Sequence, residues 1–437
     1  MPELHDPKKE RGEKRNFITE KVVKRPLTRR QLVKRGLLFS MAAFLFGTVA
    51  GVGFSIARPL TERYLIGEKK EEPTVSIPKD DPADVTMAAS AEETETEEQS
   101  EPIEEIVQSA MESYRFTVGD LNSIISSLRV QVQKANNGVV TVHSVQQETD
   151  WFDNPVETTG LYAGVVIADT SQELLILTPE SAVAYSDSVR VAFGDSEEVT
   201  GRVKQRDRIS GMAVVSAAVE DLSETALQNV AVLPLGNSYT VKEGDMVIAV
   251  GGPAGIVHSI DYGFISYVQK NVQMVDQIER VLYTGVGADV DKGTFLLNTS
   301  GELIGWAMTP HQEEKSSPMT EIRCVSGYKG ILEKLSNGQE APCFGIVGQS
   351  VSEDMEAGGL PKGIYVMSAV TDGPAYNAGI QNGDIITRID DKEMGSMKDF
   401  QGMVDGMQCG QVLLVTVQRN GRDQFTELQF QVTVGAR

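Results

Sequence analysis

The sequence predicts a mainly β protein with two folded units, preceded by a single N-terminal transmembrane helix. Between residues 138 and 327, ten or more short strand-like runs follow one another without interleaved helices, which is typical of an all-β sandwich or a pair of barrels. A second group of strands, with one helical stretch, covers residues 341–435. A 22-residue apolar run lies near the N-terminus. A chain of 437 residues is long enough for these units.

The charge of the chain is unevenly distributed. Residues 1–35 carry twelve Lys and Arg against five Asp and Glu, although the formal net charge of the whole chain is −22. An acidic main body argues against nucleic-acid binding, because such binding needs a basic face to replace the phosphate counterions. The basic segment 1–35 is instead predicted to be a cytoplasmic tail that contacts anionic lipid.

The apolar run of residues 36–57 is predicted to be a transmembrane helix. It contains no charged residue in its 22 positions. At 1.5 Å per residue it spans about 30 Å, the hydrocarbon thickness of a bilayer. The positive-inside rule keeps the basic tail in the cytoplasm and the remainder outside. A cleaved signal peptide or a buried core helix are the alternatives, but the run is longer than a signal h-region and no clean cleavage site follows. We expect a single-pass protein of the cell membrane.

Residues 58–105 predict an acidic disordered linker, and residues 106–137 a helical segment. From Glu68 to Glu105 the chain carries fourteen acids against three Lys, so it repels itself and lacks the apolar residues for a core. The clearest helical periodicity follows, starting near Thr117 or Asp120 and ending at the Asn-Asn-Gly before residue 139. We expect its apolar stripe to dock on the next domain, with self-association as the alternative.

Cysteine and histidine are sparse. Cys324, Cys343 and Cys409 are widely spaced, and none of the four His is near a Cys. Buried thiols are expected, with no disulfide framework, no metal and no cofactor.

Several motifs in order resemble the trypsin-like domain of HtrA-type envelope serine proteases. GLYAGVVIA (160–168) is similar to the hairpin before the catalytic His of that family. LPLGNSYTVKEGDMVIAVGGPAG (233–255) is similar to the segment between its two barrels, and FLLNTSGELIGW (295–306) to the hairpin after its nucleophile. The resemblance implies a trypsin-like double β-barrel over residues 138–327, followed by a PDZ domain over residues 341–435.

The resemblance also places the catalytic triad, and the residues there differ from those of the family. The His position is Ser181 in LTPESAV, the Asp position is Gly211 in DRISGMAVV, and the Ser position is Lys292. A hydroxyl needs an imidazole to remove its proton and a carboxylate to orient that imidazole. The Gly of the family's oxyanion loop is Val290 here, which tolerates positive φ poorly. We therefore predict an inactive serine protease homologue with no catalytic residues.

An enzymatic alternative remains at the same positions. Ser181 and Lys292 could face each other as a swapped Ser–Lys dyad, as other hydrolases use. Such a dyad needs a desolvated Lys with a lowered pKa, and the neighbouring Asp289 and Asp291 oppose that shift. Coincidence in a relaxed site is the competing interpretation.

The second unit resembles a PDZ domain. GPAYNAGIQNGDIITRIDDKEM (373–394) is similar to a highly recognisable run of HtrA-type PDZ domains, and Cys343-Phe344-Gly345-Ile346 matches their carboxylate-binding loop. PDZ domains add a peptide as an extra strand and receive its C-terminal carboxylate on backbone N–H groups. A PDZ fold that only packs against its neighbour, with an occluded groove, is the alternative. The predicted peptide-binding residues are Phe344, Gly345, Ile346, Val347, Phe400, Met403 and Val404.

These features together predict an HtrA-like pseudoprotease that binds peptides or unfolded-protein ligands and acts as a scaffold, sensor or regulator in envelope protein quality control. An active endopeptidase with a non-standard site, or a regulatory subunit of an active relative, are the alternatives. The partners that this interpretation allows are further copies of the chain, in a homo-oligomer, and HtrA-type relatives, in a mixed oligomer.

Overall fold

A computed structural model of the chain describes residue 41 and residues 74–82, 117–149, 155–194, 197–310, 318–421 and 424–437. The chain divides into two compact units, Met1–Glu72 and Pro73–Arg437, and the elements below belong to the second. The basic tail, the predicted transmembrane helix apart from residue 41, most of the acidic linker and residues 106–116 of the predicted helical segment lie outside the described residues. In the part that is described, no helix has the length and apolarity needed to cross a bilayer.

The first described helix, α1 (Val118–Asn136), begins where the sequence predicts it. Thr117 and Asp120 form a capping box: the Thr117 N–H donates to the Asp120 carboxylate (2.7 Å), and the Asp120 N–H donates to the Thr117 hydroxyl (3.4 Å). Only the C-terminal half of its apolar stripe docks, because Val132 and Ala135 are buried whereas the earlier part is exposed. The expectation that the whole stripe docks is wrong for that earlier half.

Twelve strands form two closed six-stranded barrels, as the resemblance implies. The first barrel has the order β1-β2-β3-β6-β5-β4 and the second β10-β11-β12-β9-β8-β7. The short helix α2 (Glu224–Asn229) lies in the segment between them. The strands of the first barrel are β1 (Val139–Thr149), β2 (Pro155–Asp169), β3 (Glu173–Pro179), β4 (Ser188–Phe193), β5 (Glu197–Asp207) and β6 (Met212–Ala218). Those of the second are β7 (Met246–Gly251), β8 (Asp261–Met274), β9 (Gln277–Thr284), β10 (Thr294–Asn298), β11 (Leu303–Ala307) and β12 (Thr320–Cys324).

Two of these strands, β9 and β12, are not foreseen in the sequence. β9 pairs antiparallel with β8, and the register Met274↔Gln277 leaves a two-residue turn at Val275 and Asp276. The first two buried positions of β9 are polar, since Gln277 and Glu279 are both buried. The strand therefore lacks the apolar alternation that identifies its neighbours.

The helix α3 (Lys329–Ser336) follows the second barrel and closes the space between the barrels. Its Leu332 and Leu335 join one buried cluster with residues of both barrels, among them Leu177 and Phe295. Residues 74–82, which the composition assigns to the disordered linker, instead contact this region without forming a helix or a strand. The Val75 N–H donates to the Asn337 side chain at 2.7 Å.

The last unit, by which we mean the C-terminal part of the chain from residue 341, is built on a sheet of order β14-β15-β16-β18-β19, with β17 paired to β16 and a separate pair β13-β20. Its strands are β13 (Pro342–Cys343), β14 (Ile346–Ser350), β15 (Ile364–Ala369), β16 (Ile385–Ile389), β17 (Lys392–Glu393), β18 (Val412–Asn420), β19 (Phe425–Thr433) and β20 (Gly435–Ala436). Its helices are α4 (Glu353–Ala357), α5 (Pro374–Ala378) and α6 (Met397–Gly406). The helix α6, which Ser396 caps by accepting the Asp399 N–H, covers the buried cluster of this sheet.

Candidate functional site

The cleft between the barrels brings together the three positions that the resemblance assigns to the triad. Ser181 lies in a single helical turn after β3, and Gly211 lies in the turn before β6 with a φ of +72°. Lys292 lies in the turn before β10. The Ser181 hydroxyl donates to the Asp291 carbonyl (3.1 Å), and the Ala163 N–H donates to the Lys292 carbonyl (2.7 Å).

The Lys292 side chain turns toward β2. Its ammonium donates to the Leu161 carbonyl (3.1 Å) and lies 5.1 Å from the centre of the Tyr162 ring. Among the described residues, no hydrogen bond joins Ser181 to Lys292. The geometry therefore gives each side chain a partner of its own.

The turn of residues 289–293 is closed on itself. The Lys292 N–H donates to the Asp289 carboxylate (2.8 Å), and the Gly293 N–H donates to the Asp289 carbonyl (3.1 Å). In a serine protease of this fold, the N–H at the nucleophile position is one of the two donors to the oxyanion. Here that donor is occupied by a side chain of the protein, and Val290 has a negative φ.

The described histidines are engaged on the first barrel. His143 lies on β1, with its Nδ1 3.6 Å from the Glu198 carboxylate. The His258 Nε2 lies 3.1 Å from the Thr141 hydroxyl. The other two histidines of the chain lie outside the described residues.

The second candidate site is the loop Cys343–Ile346, named the carboxylate loop below. Three consecutive backbone N–H groups of this loop converge on the two carboxylate oxygens of Asp276. The distances are 2.8 Å from the Phe344 nitrogen, 2.8 and 3.0 Å from that of Gly345, and 3.0 Å from that of Ile346. Gly345 has a φ of +87°, a conformation that only Gly adopts readily and that aims these donors at one point.

Asp276 comes from the tip of the β8–β9 hairpin, where it is 2% exposed and has a φ of +64°. Burial raises the pKa of its carboxyl, whereas the three backbone N–H donors and the Arg437 guanidinium act in the opposite direction. Sequence reasoning missed this residue. A charged residue in a turn reads as solvated, and its burial depends on a contact with a segment about 70 residues away.

The predicted peptide-binding residues lie around the carboxylate loop and α6. Phe344, Ile346, Phe400 and Val404 are all buried in the core of the last unit, while Met403 packs against its edge. The rings of Phe344 and Phe400 meet edge to face at 5.3 Å. Val347, on β14, forms an antiparallel bridge with Val275 of the hairpin.

The double barrel followed by this sheet defines a class of protein: a trypsin-like peptidase fold joined to a PDZ fold. Residues 163–305 match the family model of the trypsin-like peptidase domain, and residues 342–430 match that of the PDZ domain. Together with the relatives named below, these two matches support the HtrA-type family, which combines the two domains.

Named relatives agree with this assignment. The serine protease Do-like HtrA of Lactobacillus helveticus is 25% identical over 331 residues, which are 69% of this chain and 77% of the relative. A probable periplasmic serine endoprotease DegP-like of Pseudomonas fluorescens is 27% identical over 295 residues, 65% of this chain and 58% of the relative. The chain thus spans little more than half the length of the Pseudomonas protein.

A similar solved structure is that of the HtrA-type protease AlgW with decapeptide. It aligns with a TM-score of 0.50 and 21% identity, covering 71% of this chain and 98% of that one. This likeness shows the shared fold.

Proposed function

We propose that this chain is a non-catalytic HtrA-type protein that binds peptides or protein C-termini through its PDZ domain. The observation that carries the proposal is the carboxylate loop, which holds the carboxylate of Asp276 on three backbone N–H groups. A loop that binds this carboxylate has the geometry to bind the C-terminal carboxylate of a peptide. A solved structure of the HtrA-type protease AlgW, which is similar in fold, is described as being with a decapeptide.

The cleft supports the non-catalytic half of the proposal. Acyl transfer needs an activated nucleophile, a base to take its proton and donors for the oxyanion. At these positions stand Ser181 and Lys292, which have separate partners, and Gly211, which has no side chain. The Lys292 N–H is already bonded to Asp289. Each of these departures removes a different part of the reaction.

The proposed setting is the outer side of the cell membrane. Residues 36–57 would anchor the chain, with the basic tail in the cytoplasm and the folded units outside. In that setting the chain would act as a scaffold, sensor or regulator in envelope protein quality control, alone or in an oligomer with active relatives. Sequence composition supports this part of the proposal.

Two measurements test the proposal on the full chain in detergent. Fluorescence anisotropy with a labelled pool of random decapeptides should detect binding when the pool ends in a free Val carboxylate and weaker binding when the same pool is amidated. Equal affinity for the two pools would refute recognition of the carboxylate.

A casein degradation assay tests the catalytic half. We expect no hydrolysis above background by the native chain, or by Ser181→Ala and Lys292→Ala variants. Hydrolysis by the native chain that either substitution abolishes would instead support the enzymatic alternative.

A further inference from the structure

The hairpin that carries Asp276 reproduces the chemistry of a bound peptide end. Its carboxylate receives the three N–H groups of the carboxylate loop. Its backbone N–H donates to the Ile346 carbonyl at 2.7 Å, and Val275 pairs antiparallel with Val347. Main-chain pairing along β14 next to a carboxylate in the loop is the way in which a PDZ domain receives a peptide strand.

The hairpin also supplies an apolar side chain. Ile278, two residues beyond Asp276, packs against the buried cluster that includes Phe344 and Phe400. The hairpin therefore offers a carboxylate, an antiparallel bridge to β14 and an apolar side chain together. These are the features by which a PDZ groove recognises a C-terminal peptide.

The placement of Asp276 is unusual for a turn residue. A carboxylate at the tip of a two-residue hairpin ordinarily stays in water, because burying it is costly unless several donors replace the water. Here Asp276 is 2% exposed, and the N–H groups that its carboxylate accepts all belong to the carboxylate loop. The positive φ of +64°, which Asp tolerates better than most residues, directs the side chain into this loop.

We infer that the β8–β9 hairpin is an internal ligand of the PDZ groove, and that a peptide with a free C-terminal carboxylate and an apolar last side chain binds by displacing it. This inference rests on the proposed peptide binding. It adds that the hairpin fills the groove when no peptide is bound. It also adds that the contacts of Asp276 set how tightly a peptide must bind to displace the hairpin.

The first test changes the carboxylate. Asp276→Asn keeps the size and the backbone preference of the residue but replaces one acceptor oxygen by an NH₂ group, which faces the loop donors. We expect the full chain with this change to bind the free-carboxylate decapeptide pool about tenfold to a hundredfold more tightly. The reason is that losing these charge-assisted hydrogen bonds raises the fraction of molecules in which the hairpin has left the groove. The matched control is Asp390→Asn. Asp390 also lies at a hairpin tip with positive φ, and its carboxylate accepts the Leu414 N–H at 2.8 Å, away from the carboxylate loop.

The second test locks the hairpin. A Val275→Cys and Val347→Cys pair lies at an antiparallel bridge, where the Cα separation suits a disulfide. The oxidised variant should lose binding of the peptide pool, and dithiothreitol should restore it. The native chain under the same treatment controls for the three natural cysteines.

The outcomes separate this inference from the proposed function. Peptide binding that neither Asp276→Asn nor the oxidised lock changes would overturn the internal ligand and leave peptide binding in place. The rate of cross-linking without peptide measures docking of the hairpin alone. If Asp276→Asn slows cross-linking but no variant binds the peptide pool, docking is supported and the proposed function fails. Cross-linking that is indifferent to Asp276→Asn would overturn the role assigned to Asp276.

Discussion

Residues 74–82 offer a sharp stability prediction, because two adjacent charged residues there have very different surroundings. The Asp80 carboxylate accepts hydrogen bonds from the Lys329 ammonium at 2.9 Å and from the Ser326 hydroxyl at 2.6 Å. The side chains of Asp80 and Lys329 are only 15% and 7% exposed. The neighbouring Lys79 instead pairs with Asp405 at 3.3 Å, with side chains 58% and 42% exposed.

Asp80→Ala should therefore destabilise the folded unit. Removing one partner of a buried ion pair costs roughly 3–5 kcal/mol, and we expect about 3 kcal/mol because Asp80 lies at the edge of the unit. At roughly 2 °C per kcal/mol for a chain of this size, the melting temperature should fall by about 6 °C. Lys79→Ala removes an exposed pair and should cost at most about 1 kcal/mol.

The assay is thermal unfolding of the two variants and the native chain, followed by circular dichroism at one pH and salt concentration. Equal melting temperatures for Asp80→Ala and Lys79→Ala would refute the reasoning. In that case the contact with α3 contributes no stability, and the solvated spacer that the composition predicts would be the better description of these residues.

Two further predictions concern the cleft and the thiols. Replacing Ser181, Gly211 and Lys292 together by His, Asp and Ser should leave casein degradation at background, because the N–H of residue 292 stays bonded to the Asp289 carboxylate and cannot donate to an oxyanion; measurable hydrolysis would contradict this. Burial raises the pKa of the Cys324 thiol to about 12, so at pH 8 roughly one molecule in ten thousand carries the reactive thiolate. Ellman's reagent should react first with the more exposed Cys409 and with Cys324 only after unfolding, and equal rates in the native state would contradict the burial of Cys324.

Much of the fold follows from local sequence signals. The helical periodicity predicts the start of α1 near Thr117 or Asp120, and the resemblance to HtrA-type PDZ domains places the carboxylate loop at Cys343–Ile346. The family motifs place the double barrel and the PDZ sheet. These features are readable because they depend on residues close together in the chain.

The missed features depend on contacts between distant segments. Asp276 and Glu279 are buried because the carboxylate loop and the Tyr328 hydroxyl supply their hydrogen bonds. Asp80 is covered because Lys329, about 250 residues later, neutralises it. From the local sequence alone a charged residue is predicted to be exposed to solvent, because the partner that compensates for its burial lies elsewhere in the chain.

A carboxylate loop that is filled at rest has a kinetic consequence. A peptide that must wait for the hairpin to leave cannot associate faster than the hairpin departs. The observed association rate should therefore rise with peptide concentration and then level off, and the plateau would be the rate of hairpin departure. Asp276→Asn should raise that plateau. The time for which the hairpin stays in the groove would then limit binding to C-termini that remain available for at least that time.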